Sequence, residues 1–262
     1  MNYSKFEPFL GDWAPKFKAF IESPECDEIY RFLKAESDEG KVICPHRDNT
    51  FRAFKETPFS NLRCVFILQD PYHQVVRKDG KAVYVSDGMA MSCSNTGIIQ
   101  PSLELFYKGM ENDLQQEVIR QPDLSYLAHQ GILLLNTSLT VEMDKPGSHS
   151  GRWDKFTDYL VQEVINFYTQ GIVYVTFGQN AKLMAKAIAP FLHWGFEVEH
   201  PAFAARKDRD WNHQNIFTKI NKILKDNNNE QILWNYEDYR RQRDGETIQR
   251  PSHTGITGKL RK

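Results

Sequence analysis

Two hydrophobic patterns alternate along this chain. Residues 62–68, 131–135, 171–177 and 195–199 read as strands, most clearly Cys64-Val65-Phe66-Ile67-Leu68 and Ile132-Leu133-Leu134-Leu135. An apolar run of that length without alternation predicts a strand covered on both faces, as in a parallel sheet. Between these runs, apolar residues recur at helical spacing. Leu103, Phe106, Tyr107, Met110 and Leu114 mark a helix over 102–116 with Ser102 as its N-cap. Helices are also predicted over 153–168, 179–189 and 211–224, with two or three more filling 5–38. The alternation predicts an α/β fold, a three-layer α/β/α arrangement around a central four-stranded parallel sheet. Asn227-Asn228-Asn229 breaks the last helix, and Trp234 is placed to dock the following segment on the body. From Asp238 onward Arg, Gln, Gly, Thr and Ser dominate. That change predicts a folded domain over 1–237 and a basic, flexible tail over 238–262.

The first strand ends in Gln69-Asp70-Pro71-Tyr72-His73. Pro71 has no N–H for a sheet ladder, so the chain must leave the sheet near Asp70. An amide, a carboxylate, a phenol and an imidazole are thereby gathered at the C-terminal mouth of a strand, where open α/β sheets bind ligands. A bland turn would carry Gly, Asn or Ser instead.

Composition narrows the setting. The 262 residues carry a net charge of −1, with 40% hydrophobic and 13% aromatic residues, which suits a single globular domain and argues against a protein that coats nucleic acid non-specifically. No apolar stretch is long enough for a membrane span, and the N-terminus shows no secretion signal. Cys26, Cys44, Cys64 and Cys93 are widely spaced, which argues against an iron–sulfur cluster and for a reducing, cytoplasmic location at the nucleoid, or the nucleus of a eukaryotic host. No metal or cofactor is expected. Positive charge is local: Arg206, Lys207 and Arg209 cluster after His200-Pro201, and residues 238–262 hold seven Lys/Arg against three acids.

Gln69-Asp70-Pro71-Tyr72-His73 resembles the water-activating loop of the family 1 uracil-DNA glycosylases, and further segments follow the same family in order. Phe51-Arg52-Ala53-Phe54 with Thr57-Pro58-Phe59 resembles the lead-in to the first strand. Gly88-Met89-Ala90-Met91-Ser92-Cys93 is similar to the base-stacking segment, and Pro101-Ser102-Leu103-Glu104 to the end of a proline-rich loop. Leu133-Leu134-Leu135-Asn136-Thr137 resembles the base-reading strand; Ser148-His149, Trp153 and Phe156-Thr157-Asp158 continue the match, and His200-Pro201 closes it. The resemblance spans about residues 5–237, with the first and the Leu-Leu-Leu-Asn-Thr motifs the most specific.

The resemblance implies cofactor-independent excision of uracil from single- or double-stranded DNA by a monomer, and sensitivity to proteinaceous uracil-glycosylase inhibitors. It implies that Asp70 is the anion that positions the attacking water and that neutral His200 donates to O2 of the departing base. Asn136 would pair with N3–H and O4 of uracil, the reverse of what cytosine presents. Tyr72 would exclude the methyl group of thymine. Met91 would cover the base, Gln69 offer a backbone N–H, and His73 hold the loop. DNA contacts would fall to Pro101, Ser102, Gly178, Gln179, Pro201, Phe203 and Arg206.

Departures concentrate in the DNA-contacting loops. Leu68 stands where the family loop begins with Gly, and Met91 where Phe stacks on uracil. Ala204 holds the position of the Leu wedge, leaving Phe203 as the apolar plug for base extrusion. Two rivals stay open: a glycosylase for a modified pyrimidine, suggested by Met91 and the altered 200–206 loop, and a DNA-binding replication accessory built on a glycosylase scaffold.

Overall fold

Four parallel strands form the central sheet. The computed structural model describes residues 2–179, 181, 187–189 and 192–246. Its strands are β1 (Ile43–Cys44), β2 (Cys64–Leu68), β3 (Val75–Lys78), β4 (Lys81–Tyr84), β5 (Ile132–Asn136), β6 (Val141–Glu142), β7 (Val173–Phe177) and β8 (Trp194–Val198). The central sheet has the order β5-β2-β7-β8, as the expected three-layer α/β fold requires. Every residue of β2 and β5 is buried, which is why their sequences are apolar up to the terminal Asn136. β8 is an edge strand with only Val198 buried, hence its mixed sequence.

The register brings the strand ends level. Leu68 lies beside Asn136, and Phe177 beside Val198. One covering layer contains helices Pro101–Leu114, Pro201–Arg206 and Ile216–Asp226, joined to the sheet through Phe66, Phe106, Phe177, Phe217 and Trp234. The other is built from the N-terminal helices, Arg52–Glu56 and the helix beginning at Asp154, around Trp13, Phe17, Phe54 and Phe156. Such ring pairs add about 0.5–1.5 kcal/mol each beyond the area they bury.

Several expected boundaries move. The helix predicted over 102–116 runs from Pro101 to Leu114 with Gln100 as N-cap, so Ser102 lies inside its first turn; proline suits the first helical position because its missing N–H would have no partner there. The helix predicted over 211–224 begins only at Ile216. Gln214 and Asn215 are left-handed, at φ 53° and 55°, and Asp113 accepts from the N–H groups of Phe217 and Thr218 at 2.8 and 3.2 Å, which fixes the start. Trp211 is instead buried separately, its indole donating to the Glu199 carbonyl at 2.6 Å. The expected boundary at 237/238 is straddled by a helix, Tyr236–Arg243, in which Tyr236 and Tyr239 pack on Tyr126; the rest of the expected tail, 247–262, lies outside the described residues. So does most of the helix predicted over 179–189. Trp234 docks as expected, buried and donating to the Phe217 carbonyl at 3.2 Å.

Candidate active site

The loop after β2 is strapped to the continuation of β5. Thr137 N–H donates to the Leu68 carbonyl at 2.9 Å, and Ser138 N–H to the Gln69 carbonyl at 3.0 Å. Asp70 follows at once. Its Oδ2 accepts from the backbone N–H of Gly147 at 3.1 Å, while its buried Oδ1 has no hydrogen-bond partner among the described residues. Gly147 has φ 78°, a left-handed geometry that costs glycine nothing and aims its N–H at the carboxylate. Burial pushes the Asp70 carboxyl above the ordinary carboxylate range, against the opposing pull of the Gly147 N–H, of His73 and of the nearby Ser138 hydroxyl. One oxygen is therefore held and the other is free to orient water.

Asn136, the last residue of β5, sits at the neighbouring strand end, 4% exposed. Its Oδ1 is also buried without a partner. Buried polar atoms are nearly always hydrogen-bonded, so two orphaned oxygens on adjacent strand tips mark a place built for a polar ligand.

His200 follows β8 and caps helix Pro201–Arg206. Its Nδ1 accepts from the Ala202 N–H at 3.1 Å. An acceptor Nδ1 carries no proton, so the neutral ring holds its proton on Nε2 and can donate from there. Burial, and next Arg206, lower its pKa to about 4. Gly178, at the end of β7, makes room for the ring: a Cβ there would lie 3.3 Å from the Cβ of His200, and φ is 85°. Asp70, Asn136 and His200 thus stand at the C-terminal ends of β2, β5 and β8, whose mouths span about 15 Å at ordinary strand spacing.

The remaining expected residues divide into those that face the site and those that support it. The Tyr72 hydroxyl is 2.7 Å from Ser102 Oγ, and Ser102 is only 5% exposed. Ser102, expected on DNA, lies in the first turn of the helix with its hydroxyl against Tyr72. Pro101 is exposed at the helix tip, but Pro201 is buried. Met91 is buried in a left-handed conformation, φ 61°, and Ala90 N–H ties its segment to the Leu134 carbonyl of β5 at 3.0 Å. The His73 carbonyl accepts from Asp144 N–H at 3.1 Å. Gly178 lies half-buried against His200 while Gln179 is exposed. Phe203 is 39% exposed with Lys207 Nζ 4.4 Å from its ring centre, whereas Ala204 is fully buried; Arg206 is exposed beside it.

Sequence reasoning missed the support beneath Met91. Buried Asp87 accepts from Met89 N–H at 3.2 Å, Ser92 Oγ at 2.6 Å and Ser94 N–H at 3.0 Å, and pairs with Arg52 at 2.7 Å. Arg52 lies 35 positions earlier, a separation no local pattern reveals. A cavity of about 600 Å³ lies elsewhere, among Phe20, Ile29, Leu33, Trp153 and Phe156; none of the strand-end polar residues lines it, so size is no guide to the chemistry here. Among the described residues no cluster of three or more His, Cys, Asp or Glu is placed to hold a metal ion.

Comparison with known proteins agrees with this geometry. No family model matches the chain. A uracil-DNA glycosylase of Pseudomonas aeruginosa is 33% identical over 229 residues, covering 87% of this chain and 95% of that protein. A uracil-DNA glycosylase of Francisella tularensis is 34% identical over 227 residues, 85% and 98% of the two chains. The crystal structure of mimivirus uracil-DNA glycosylase superimposes with a TM-score of 0.80 over 90% of both chains at 21% identity, a likeness of fold. At the identity and coverage of its bacterial relatives, the chain belongs to the uracil-DNA glycosylase family.

Proposed function

We propose that the protein hydrolyses the N-glycosidic bond of deoxyuridine in DNA, releasing uracil and leaving an abasic site that starts base-excision repair. The pairing of orphaned oxygens on Asp70 and Asn136 with a neutral donor at His200 carries this reading. Water attacks C1′ of the sugar, the C1′–N1 bond breaks, and its electrons leave on uracil. Positive charge grows on the deoxyribose and negative charge on the base. Asp70 offsets the first and orients the water; the His200 Nε2–H stabilises the second at O2. Both groups are preorganised and partly buried, where such contacts act more strongly than in open water. We assign the protein to the cytoplasm or nucleoid as a monomer. Two of the structural neighbours are mimivirus glycosylases in complex with UGI, and the same class of inhibitor is expected to occlude this DNA face.

Asn136 carries base selectivity. Its Oδ1 accepts from N3–H and its amide donates to O4, a pattern cytosine inverts, leaving buried groups unpaired. Asn136→Asp is expected to give measurable cytosine release; uracil activity retained with no cytosine release would remove Asn136 from this role. Phe203 is the extrusion plug, with Arg206 on phosphate. Extruding a base costs a few kcal/mol from duplex and little from single strands, so Phe203→Ala is expected to slow duplex substrates by about tenfold more than single strands. Equal losses on both would end the plug role.

One assay separates the candidate activities. Oligonucleotides containing uracil, thymine, 5-hydroxymethyluracil or cytosine are incubated with the protein and abasic sites cleaved with alkali. Cleavage at uracil alone is the expected result. Preference for 5-hydroxymethyluracil would favour the modified-pyrimidine reading that Met91 suggests, and no cleavage anywhere would favour a non-catalytic DNA-binding role.

A further inference from the structure

Immediately after His73 the chain makes an excursion that the reaction itself does not use. β3 and β4 form an antiparallel hairpin around Asp79-Gly80, whose φ values of 52° and 75° are those of a two-residue hairpin turn. The root is pinned by Val85 N–H donating to the Gln74 carbonyl at 3.0 Å. The hairpin thereby links the Asp70–His73 loop directly to the segment carrying Met91.

Its charges are arranged unusually. Lys78 and Lys81 are directly opposite in the ladder, and Arg77 is paired with Ala82 on the other face. Like charges opposite one another destabilise a strand pair, and only Asp79 offsets them in the turn. Arg77, Lys78 and Lys81 are exposed, and none forms an ion pair among the described residues. Some cations elsewhere are paired, as in Lys34–Asp38, Lys41–Glu36, Arg120–Glu111 and Lys222–Asp226, and others such as Lys55 and Lys225 stand singly; what sets the hairpin apart is three unpaired cations within five positions of one exposed ribbon. Neither face of the ribbon's outer half is buried, so core packing does not explain it.

We propose that this hairpin is a second DNA-binding element that sets Arg77, Lys78 and Lys81 on phosphates flanking the extruded nucleotide. The proposal rests on the reading of the chain as a DNA glycosylase. Four residues per strand extend about 13 Å, roughly four nucleotide steps of duplex rise, so the tip serves neighbouring phosphates and not the target base. With a net charge of −1, attraction to a polyanion has to come from such local, unneutralised clusters. Lysines on exposed strands also discourage edge-to-edge pairing; that role alone predicts aggregation on neutralisation and no change in DNA affinity.

The test is the full chain carrying Arg77→Gln, Lys78→Gln and Lys81→Gln together. Binding is measured by anisotropy on a uracil-free duplex of about 20 base pairs, and uracil release on the matching substrate, between about 50 and 200 mM salt. Kd and KM are expected to rise about tenfold at the lower salt, and the slope of log Kd against log salt to become shallower by about 2–3. The rate at saturating DNA and inhibition by free uracil should hold. The charge-retaining variant Arg77→Lys, Lys78→Arg, Lys81→Arg should bind as wild type. A triple Gln variant with wild-type Kd and salt slope, or one that loses saturated rate at unchanged KM, overturns the proposal. A wild-type protein that releases no uracil overturns the glycosylase reading instead, a distinct result because affinity is read on uracil-free DNA.

Discussion

Asp70→Asn is expected to lower the single-turnover rate of uracil release by about 10²–10⁴, roughly 3–5 kcal/mol of transition-state stabilisation, while leaving the protein folded. The substitution keeps the shape of the side chain, and an amide oxygen can still accept from the Gly147 N–H that now holds Oδ2. What disappears is the negative charge beneath the sugar and an acceptor for the water proton. Folding should not suffer. The folded-state pKa of Asp70 is raised, so ionised Asp70 costs stability at every pH above the ordinary carboxylate range. Removing the charge is expected to leave the Tm at pH 7 unchanged or higher, with the difference vanishing in acid, where both side chains are neutral. The same shift places the acid limb of the wild-type rate profile above the usual Asp value, because only ionised Asp70 is competent. Rapid-quench rates and melting curves across pH check both points; a well-folded variant with the wild-type rate would remove Asp70 from the chemistry.

The strand ends were legible because the physics that makes them is local. Apolar runs such as Ile132–Leu135 have one use in a chain of this composition, and a polar residue that terminates one is placed at the sheet's mouth. The helix around Leu103–Met110 was legible for the same reason, though Pro101, not Ser102, starts it. What escaped depends on contacts distant in sequence. Trp211 precedes an apolar period and so reads as helical, yet it is a separate anchor bonded to Glu199. The Arg-rich stretch after Asp238 hides Tyr239, which docks on Tyr126 beside Tyr236. The β3–β4 hairpin carries the strong Asp79-Gly80 turn signal, but its short strands present no buried face and so lack the alternation that marks a half-buried strand. The contact between Ser102 and Tyr72 illustrates the limit at the site: the two hydroxyls lie far apart in sequence and meet only in the fold.

His200→Leu is expected to slow cleavage about 10²–10³-fold, the cost of losing one preorganised donor to a developing oxyanion, with little change in DNA affinity because the contact strengthens only as charge reaches O2. Leu also removes the acceptor for the Ala202 N–H, a cap worth about 1 kcal/mol. His200→Asn separates the two losses: Asn is a good N-cap and restores that hydrogen bond, yet its shorter side chain does not reproduce the Nε2–H. Both variants should therefore be slow, and only Leu destabilised. The titration follows from the same contacts. With the folded pKa of His200 depressed to about 4, the imidazole is already neutral at pH 6–8, so the wild-type rate should show no inflection at the ordinary histidine value near 6.5. Stability behaves oppositely. Between about pH 6.5 and 4 the unfolded chain takes up a proton on His200 that the folded protein refuses, so this residue's contribution to stability falls as pH drops through that window. Protein carrying Asn or Leu at this position lacks that decline. A rate inflection near pH 6.5 that vanishes in both variants would mean that His200 acts as an imidazolium, and the neutral-donor mechanism would fall with it.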